Sequence, residues 1–101
     1  MSQSYLQVVT EDRRLVLLRI LAEAPEYRSN DSVLRKALHQ LGHDPSRGQV
    51  VTDLHWLQEM ELVSLDDSFR PVTVATLTER GLDVGQGRAQ VPGVARPSPT
   101  A

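Results

Sequence analysis

Residues 44–77 read DPSRGQVVTDLHWLQEMELVSLDDSFRPVTVATL. Asp44-Pro45 is a favourable helix start, because proline is tolerated in the first helical position; Ser46 is the alternative cap. The helix is expected from about Pro45 to Glu61. At about 100° per residue, Arg47, Val50, Val51, Leu54, Leu57 and Gln58 lie around one face, and Gly48, Gln49, Thr52, Trp56 and Glu59 around the opposite one. Val63–Leu65 and Val72–Leu77 then read as strands, the second on its β-branched enrichment and alternation. Between them lies a polar tip, Asp66-Asp67-Ser68-Phe69-Arg70-Pro71. The stretch is a helix followed by a two-stranded hairpin.

Upstream, Tyr5-Leu6-Gln7-Val8-Val9 is a short apolar lead-in, extended or a loose helical turn. Thr10 can cap a first helix, with Glu11 and Asp12 at the positive end of its dipole. Leu15, Val16, Leu18, Ile20, Leu21 and Ala22 make that helix apolar almost all round, so it needs two partners. One is the domain core; the other is a second subunit or the lead-in. Pro25 ends it. Asn30 or Ser29 caps a second helix, in which Val33, Leu34, Ala37, Leu38 and Leu41 form an apolar stripe. Gly42 suits a left-handed stop, leaving only the short link Gly42-His43-Asp44 before the third helix. Downstream, Thr78 caps a last helix that ends near Gly85 or Gly87.

This order predicts a mainly α chain with a small β-hairpin: a winged helix-turn-helix of three helices, a wing and a C-terminal helix. The divisions are a lead-in (1–9), the winged-helix domain (10–88) and a proline-rich tail (89–101), read as an extended arm or a segment without fixed structure. A length of 101 residues fits one domain, and 40% hydrophobic with 24% charged residues fits a soluble globular class. The absence of cysteine excludes disulfides and thiolate metal sites. No run is long enough to span a membrane, and the start lacks a signal-peptide pattern, so the cytosol is the expected location.

In such a fold the third helix enters a DNA groove. Ser46 and Arg47 at its start would grip phosphate, and Gln49 and Thr52 would face base edges. Arg47 also has an angle that permits a salt bridge at the core edge. Arg35 and Lys36, off the apolar stripe of the second helix, are candidate phosphate contacts or a solubilising surface. Arg70 is the cation of the wing, where Asp66 and Asp67 would repel the DNA backbone. Trp56 is expected half buried against the wing strands. A net charge of −2 opposes strong DNA binding, although a local patch can still be positive. His39 and His43, four apart, have metal-ligand spacing, but Gly42 interrupts their helix and no third ligand is fixed nearby. Neither a metal, a cofactor nor a catalytic constellation is expected.

His55-Trp56-Leu57-Gln58-Glu59-Met60-Glu61-Leu62-Val63 resembles the end of a recognition helix running into the wing in ArsR-like winged-helix regulators. Leu77-Thr78-Glu79-Arg80-Gly81 resembles the L-T-x-x-G opening of the last helix in ArsR-, PadR- and MarR-type proteins. The run Asn30–Arg88, about three-fifths of the chain, is similar to small ArsR-like proteins of Mu-like bacteriophages and prophages. The resemblance implies a dimeric regulator of transcription bound to double-stranded DNA. It departs from the metal-sensing members in having no cysteine pair. A winged helix can also be a protein-binding module, here with a phage or host partner in assembly or DNA packaging.

Overall fold

Ser4 and Gln7 decide where the first helix begins. The Gln7 amide donates to Ser4 Oγ at 3.1 Å, and the Ser4 amide donates to Gln7 Oε1 at 3.0 Å, a reciprocal capping box. Helix α1 therefore spans Tyr5–Glu23, and Thr10 lies inside it instead of capping it. The lead-in is the first turn of α1, because the Ser4–Gln7 pair satisfies two amides where Thr10 offered one. The computed structural model describes residues 3–98, so the first two residues of that lead-in and residues 99–101 of the tail fall outside it.

After α1, Pro25–Tyr27 form a single 3-10 turn that carries Glu26 and Tyr27 through positive φ. The turn delivers strand β1 (Arg28–Asn30), which the sequence reading missed. Three polar residues without alternation carry no strand signal; β1 exists because it pairs with a strand more than forty positions later. Helix α2 (Asp31–Gln40) follows, capped by Asn30 as expected. Gly42 takes φ +93°, the expected left-handed stop. Helix α3 (Arg47–Glu59) starts at Ser46, the alternative cap, with its own capping box to Gln49; Pro45 is buried ahead of it. Strands β2 (Val63–Asp66) and β3 (Val74–Leu77) form the hairpin, and β1 adds to β3. The sheet is thus three-stranded and antiparallel, in the order β1-β3-β2, where a two-stranded hairpin was expected. Helix α4 (Glu79–Gly85) is capped by Thr78.

The core gathers Leu17, Leu18 and Leu21 of α1, Leu34 and Leu38 of α2, and Val50, Leu54 and Leu57 of α3, all inaccessible to solvent. Each such side chain contributes about 1.5–3 kcal/mol by leaving water. Val33 and Leu41, placed on the α2 stripe by periodicity, are exposed instead. Val33 lies one residue off the buried Leu34–Leu38 line, and Leu41 sits beyond the last helical residue. Gly81 explains the glycine of the L-T-x-x-G motif: a β-carbon there would collide with the Leu62 carbonyl. The tail also differs from expectation. Val91 and Val94 are buried, and the Ala95 amide donates to the Glu11 carbonyl at 3.2 Å. Two valines spaced by Pro-Gly give this segment enough apolar area to fold back onto α1, so through Ser98 it is neither a projecting arm nor without structure.

Candidate nucleic-acid interface

Helix α3 buries Val50, Asp53, Leu54 and Leu57, an i, i+3, i+4, i+7 stripe, and this leaves Gly48, Gln49, Thr52, His55 and Glu59 outward. Of the six residues that periodicity gathers around one face, Val50, Leu54 and Leu57 are buried, Val51 is half buried, and Arg47 and Gln58 are exposed. The buried member it missed is Asp53. A carboxylate between Val50 and Leu54 on the core face was the available signal.

Asp53 is held by α1. Arg13 Nε donates to Asp53 Oδ2, and both side chains are buried. Arg14 places its Nε 3.6 Å from Asp53 Oδ1 and its guanidinium 3.9 Å from the centre of the Trp56 ring. Arg14 Nη1 then donates to the Gly93 carbonyl of the tail at 3.0 Å. Trp56 is half buried, as expected, and Arg14 and Gly93 of the tail lie against its ring. Its ring is covered from the α1 side because the tail, read as an arm, supplies Gly93 to that spot.

On the other side of α3, the N-terminal residues are more occupied than the sequence suggested. Ser46 Oγ accepts from the Gln49 amide at 3.1 Å, and Gln49 Oε1 accepts from the Ser46 amide at 2.9 Å. Gln49 therefore keeps its amide hydrogens free as donors, while its oxygen already accepts one bond and is turned toward the cap. Thr52 is exposed one turn further on. Arg47 takes the core-edge alternative: its Nε donates to Asp31 Oδ2 at 2.7 Å, and its Nη2 donates to the Pro71 carbonyl in the wing. Asp31 is fully buried. Burial pushes its carboxyl up, but hydrogen bonds from Arg47, Thr73 and Ser32, with the Arg47 charge, outweigh this and hold it below the usual range.

Arg35 and Lys36 are exposed on α2, and Arg35 Nε donates to the Pro45 carbonyl at 3.0 Å, bracing the turn between α2 and α3. Arg70 is exposed on the wing and pairs with no carboxylate among the described residues. Asp66 accepts from Ser68 Oγ at 2.6 Å and from its amide at 2.9 Å, which hold its carboxyl below the usual range. Asp67 accepts from Thr73 Oγ1 at 2.8 Å. Both wing carboxylates are thus engaged by donors of the same loop. His39 lies 3.1 Å from Asp44 and His43 lies 2.7 Å from Asp12, so the two histidines answer to different aspartates. No group of three histidines or carboxylates fit to hold a metal exists among the described residues.

No family model matches the chain. An uncharacterized protein of Escherichia phage Mu, gp26, is 46% identical over 94 residues, covering 93% of this chain and 96% of its own. An uncharacterized protein of Haemophilus influenzae is 38% identical over 94 residues, covering 88% and 91%. Among solved structures, RosR of H. salinarum superposes with a TM-score of 0.63 at 17% identity over 73% of this chain. Sco3205 of Streptomyces coelicolor, a MarR family transcriptional regulator solved in complex with DNA, gives 0.63 at 24% identity over 87%. The chain spans 66% and 55% of those two structures' lengths. At these identities the likeness shows the fold, a winged helix with four helices and a three-stranded sheet. It is a likeness to RosR and to a MarR family regulator. By sequence, the chain belongs to the family of phage Mu gp26.

Proposed function

We propose that this chain is a DNA-binding transcriptional regulator of phage or prophage type, acting in the cytosol as a homodimer that presents α3 to the major groove. The observation that carries this reading is the outer face of α3. Gly48, Gln49, Thr52 and His55 are exposed there, as are Arg35 and Lys36 on α2 and Arg70 on the wing, and Arg35 reaches the Pro45 carbonyl just ahead of α3. In this reading Thr52 and the Gln49 amide touch base edges, while Ser46 Oγ–H, Arg35, Lys36 and Arg70 contact phosphates. That Sco3205 was solved in complex with DNA supports the assignment for a chain of the same fold. Tyr5 and Leu6, 80% and 74% exposed on α1, together with Val8, offer apolar area for the second subunit. Two subunits would address half-sites roughly 34 Å apart. The Leu77-Thr78-Glu79-Arg80-Gly81 opening of α4, which resembles the L-T-x-x-G of ArsR-, PadR- and MarR-type regulators, is compatible with this use of the fold.

A second reading rests on charge. The net charge of −2, the two wing carboxylates and the apolar start of α1 suit a protein-binding module in phage assembly or DNA packaging. Gel filtration followed by titration with random-sequence duplex at low salt separates the two. Duplex binding that weakens steeply as salt is raised supports the regulator. A defined oligomer without duplex affinity at low salt supports the module.

A further inference from the structure

We propose that Asp31 and Arg47 form a clasp that fixes the wing against the start of α3, so that Arg47 is a positioning residue and not a phosphate contact. The proposal rests on the duplex-binding reading and reassigns one residue within it. Three elements meet at the Asp31 carboxylate. Its Oδ2 accepts from Arg47 Nε of α3 at 2.7 Å, and its Oδ1 accepts from the Thr73 amide, at the foot of the wing, at 3.1 Å. The Asp31 amide returns a bond to the Thr73 carbonyl at 3.0 Å. Arg47 closes the ring by donating from Nη2 to the Pro71 carbonyl. The first residue of α2, the first residue of α3 and the inner arm of the wing are thereby held through one buried anion.

Arg47 is 47% exposed and stands where a cation at a helix start would be assigned to phosphate. Its charge is already matched. Were the guanidinium to swing out to a duplex, it would leave Asp31, which no solvent reaches, as an orphaned buried carboxylate, and that is strongly unfavourable. A paired arginine contributes little to counterion release, because it draws no additional phosphate charge. The wing's placement is another matter. Arg70 can meet the backbone only if Pro71 and Thr73 hold the loop at a fixed height over α3, and both are held through Asp31 and Arg47.

The test uses the full chain with Arg47→Gln, Lys36→Gln and the double variant Asp31→Asn/Arg47→Gln, the last leaving no buried charge unpaired and so protected against simple failure to fold. Duplex affinity is measured against salt concentration, and amide hydrogen exchange is followed at Thr73 and at Leu57 in the core. Expected for Arg47→Gln is weaker duplex binding with an unchanged salt slope, whereas Lys36→Gln lowers the slope by about 0.9, as for one lost phosphate contact. Thr73 should exchange faster relative to Leu57 in Arg47→Gln. The double variant should lose no more affinity than Arg47→Gln alone, since both changes open the same ring. A slope reduced by about 0.9 in Arg47→Gln would make Arg47 a phosphate ligand and overturn the proposal. An unchanged Thr73-to-Leu57 exchange ratio would overturn it as well. If the wild-type chain bound no duplex, the regulator reading would fall by itself, and the exchange ratio would still decide whether the clasp exists.

Discussion

Asp53 and Asp31 both bind arginines, yet one lies on α3 facing α1 and the other at the start of α2, in different surroundings. Asp53 faces Arg13 where both side chains are buried, with Arg14, Trp56 and the tail closing over the pair. Asp31 is equally inaccessible, but its arginine is half open to water and reaches on to the wing. The first pair is screened from solvent on both members. The second combines a fixed anion with a partner that solvent, salt or a ligand can reach. One helix thus has a sealed side that sets where it lies and an open side that can meet something else.

The contrast can be broken most severely at Asp53. Asp53→Ala leaves Arg13 buried without its anion and should lower the unfolding free energy by about 3–5 kcal/mol, read from urea denaturation. A loss under about 1 kcal/mol would mean the pair behaves like a surface bridge. Next comes the seal itself. Gly93 has φ +100° and lies against Trp56, so Gly93→Ala both strains the backbone and overpacks the ring. A cost of about 1–3 kcal/mol is expected. Trp56 is the chain's one tryptophan, and its emission should shift to the red as the tail lifts. An unchanged spectrum and stability would put the tail elsewhere in solution.

On the open flank the effects are smaller and depend on pH. The Asp31 carboxyl titrates below its ordinary value when folded, so it contributes stability above the unfolded value, about 3.9, and that contribution is lost as pH falls through the folded value. The stability gap between the wild type and Asp31→Asn should therefore be constant near neutrality and narrow below about pH 4. A gap that stayed constant to pH 2 would show that the charge of Asp31 is immaterial. Thr52→Ala should matter least to folding, within about 0.5 kcal/mol in thermal unfolding, because its side chain is exposed on α3. Its expected consequence is a relaxed preference among duplex sequences at one position.

The open flank was also the more legible in sequence. The Asn30, Ser46 and Thr78 caps, the Gly42 stop, the hairpin and the outward face of α3 follow from local spacing, whereas the first helix begins at Ser4 and not at Thr10. What escaped reading depends on distant partners. β1 is a strand only through pairing with β3, and the tail packs only because α1 presents a surface to Val91 and Val94. The burial of Asp53 depends on Arg13, forty positions away. Arg47 had two readings by angle alone, and only the position of Asp31 separates them. Local chemistry thus revealed the helices, the hairpin and the exposed face, while long-range pairing determined β1 and how the inner side was closed.

The claim that α3 lies in the major groove can be tested directly because the chain contains no cysteine. Thr52→Cys introduces a single thiol on the outer face, to which an iron chelate can be tethered for cleavage of bound duplex. The account predicts cuts clustered in each half-site, with the two-strand offset of a probe held in the major groove, and none from the same chelate on Glu23→Cys at the far end of α1. Cleavage at background level by the Thr52→Cys conjugate, on duplex shown to be bound, would place α3 away from the DNA and contradict the account.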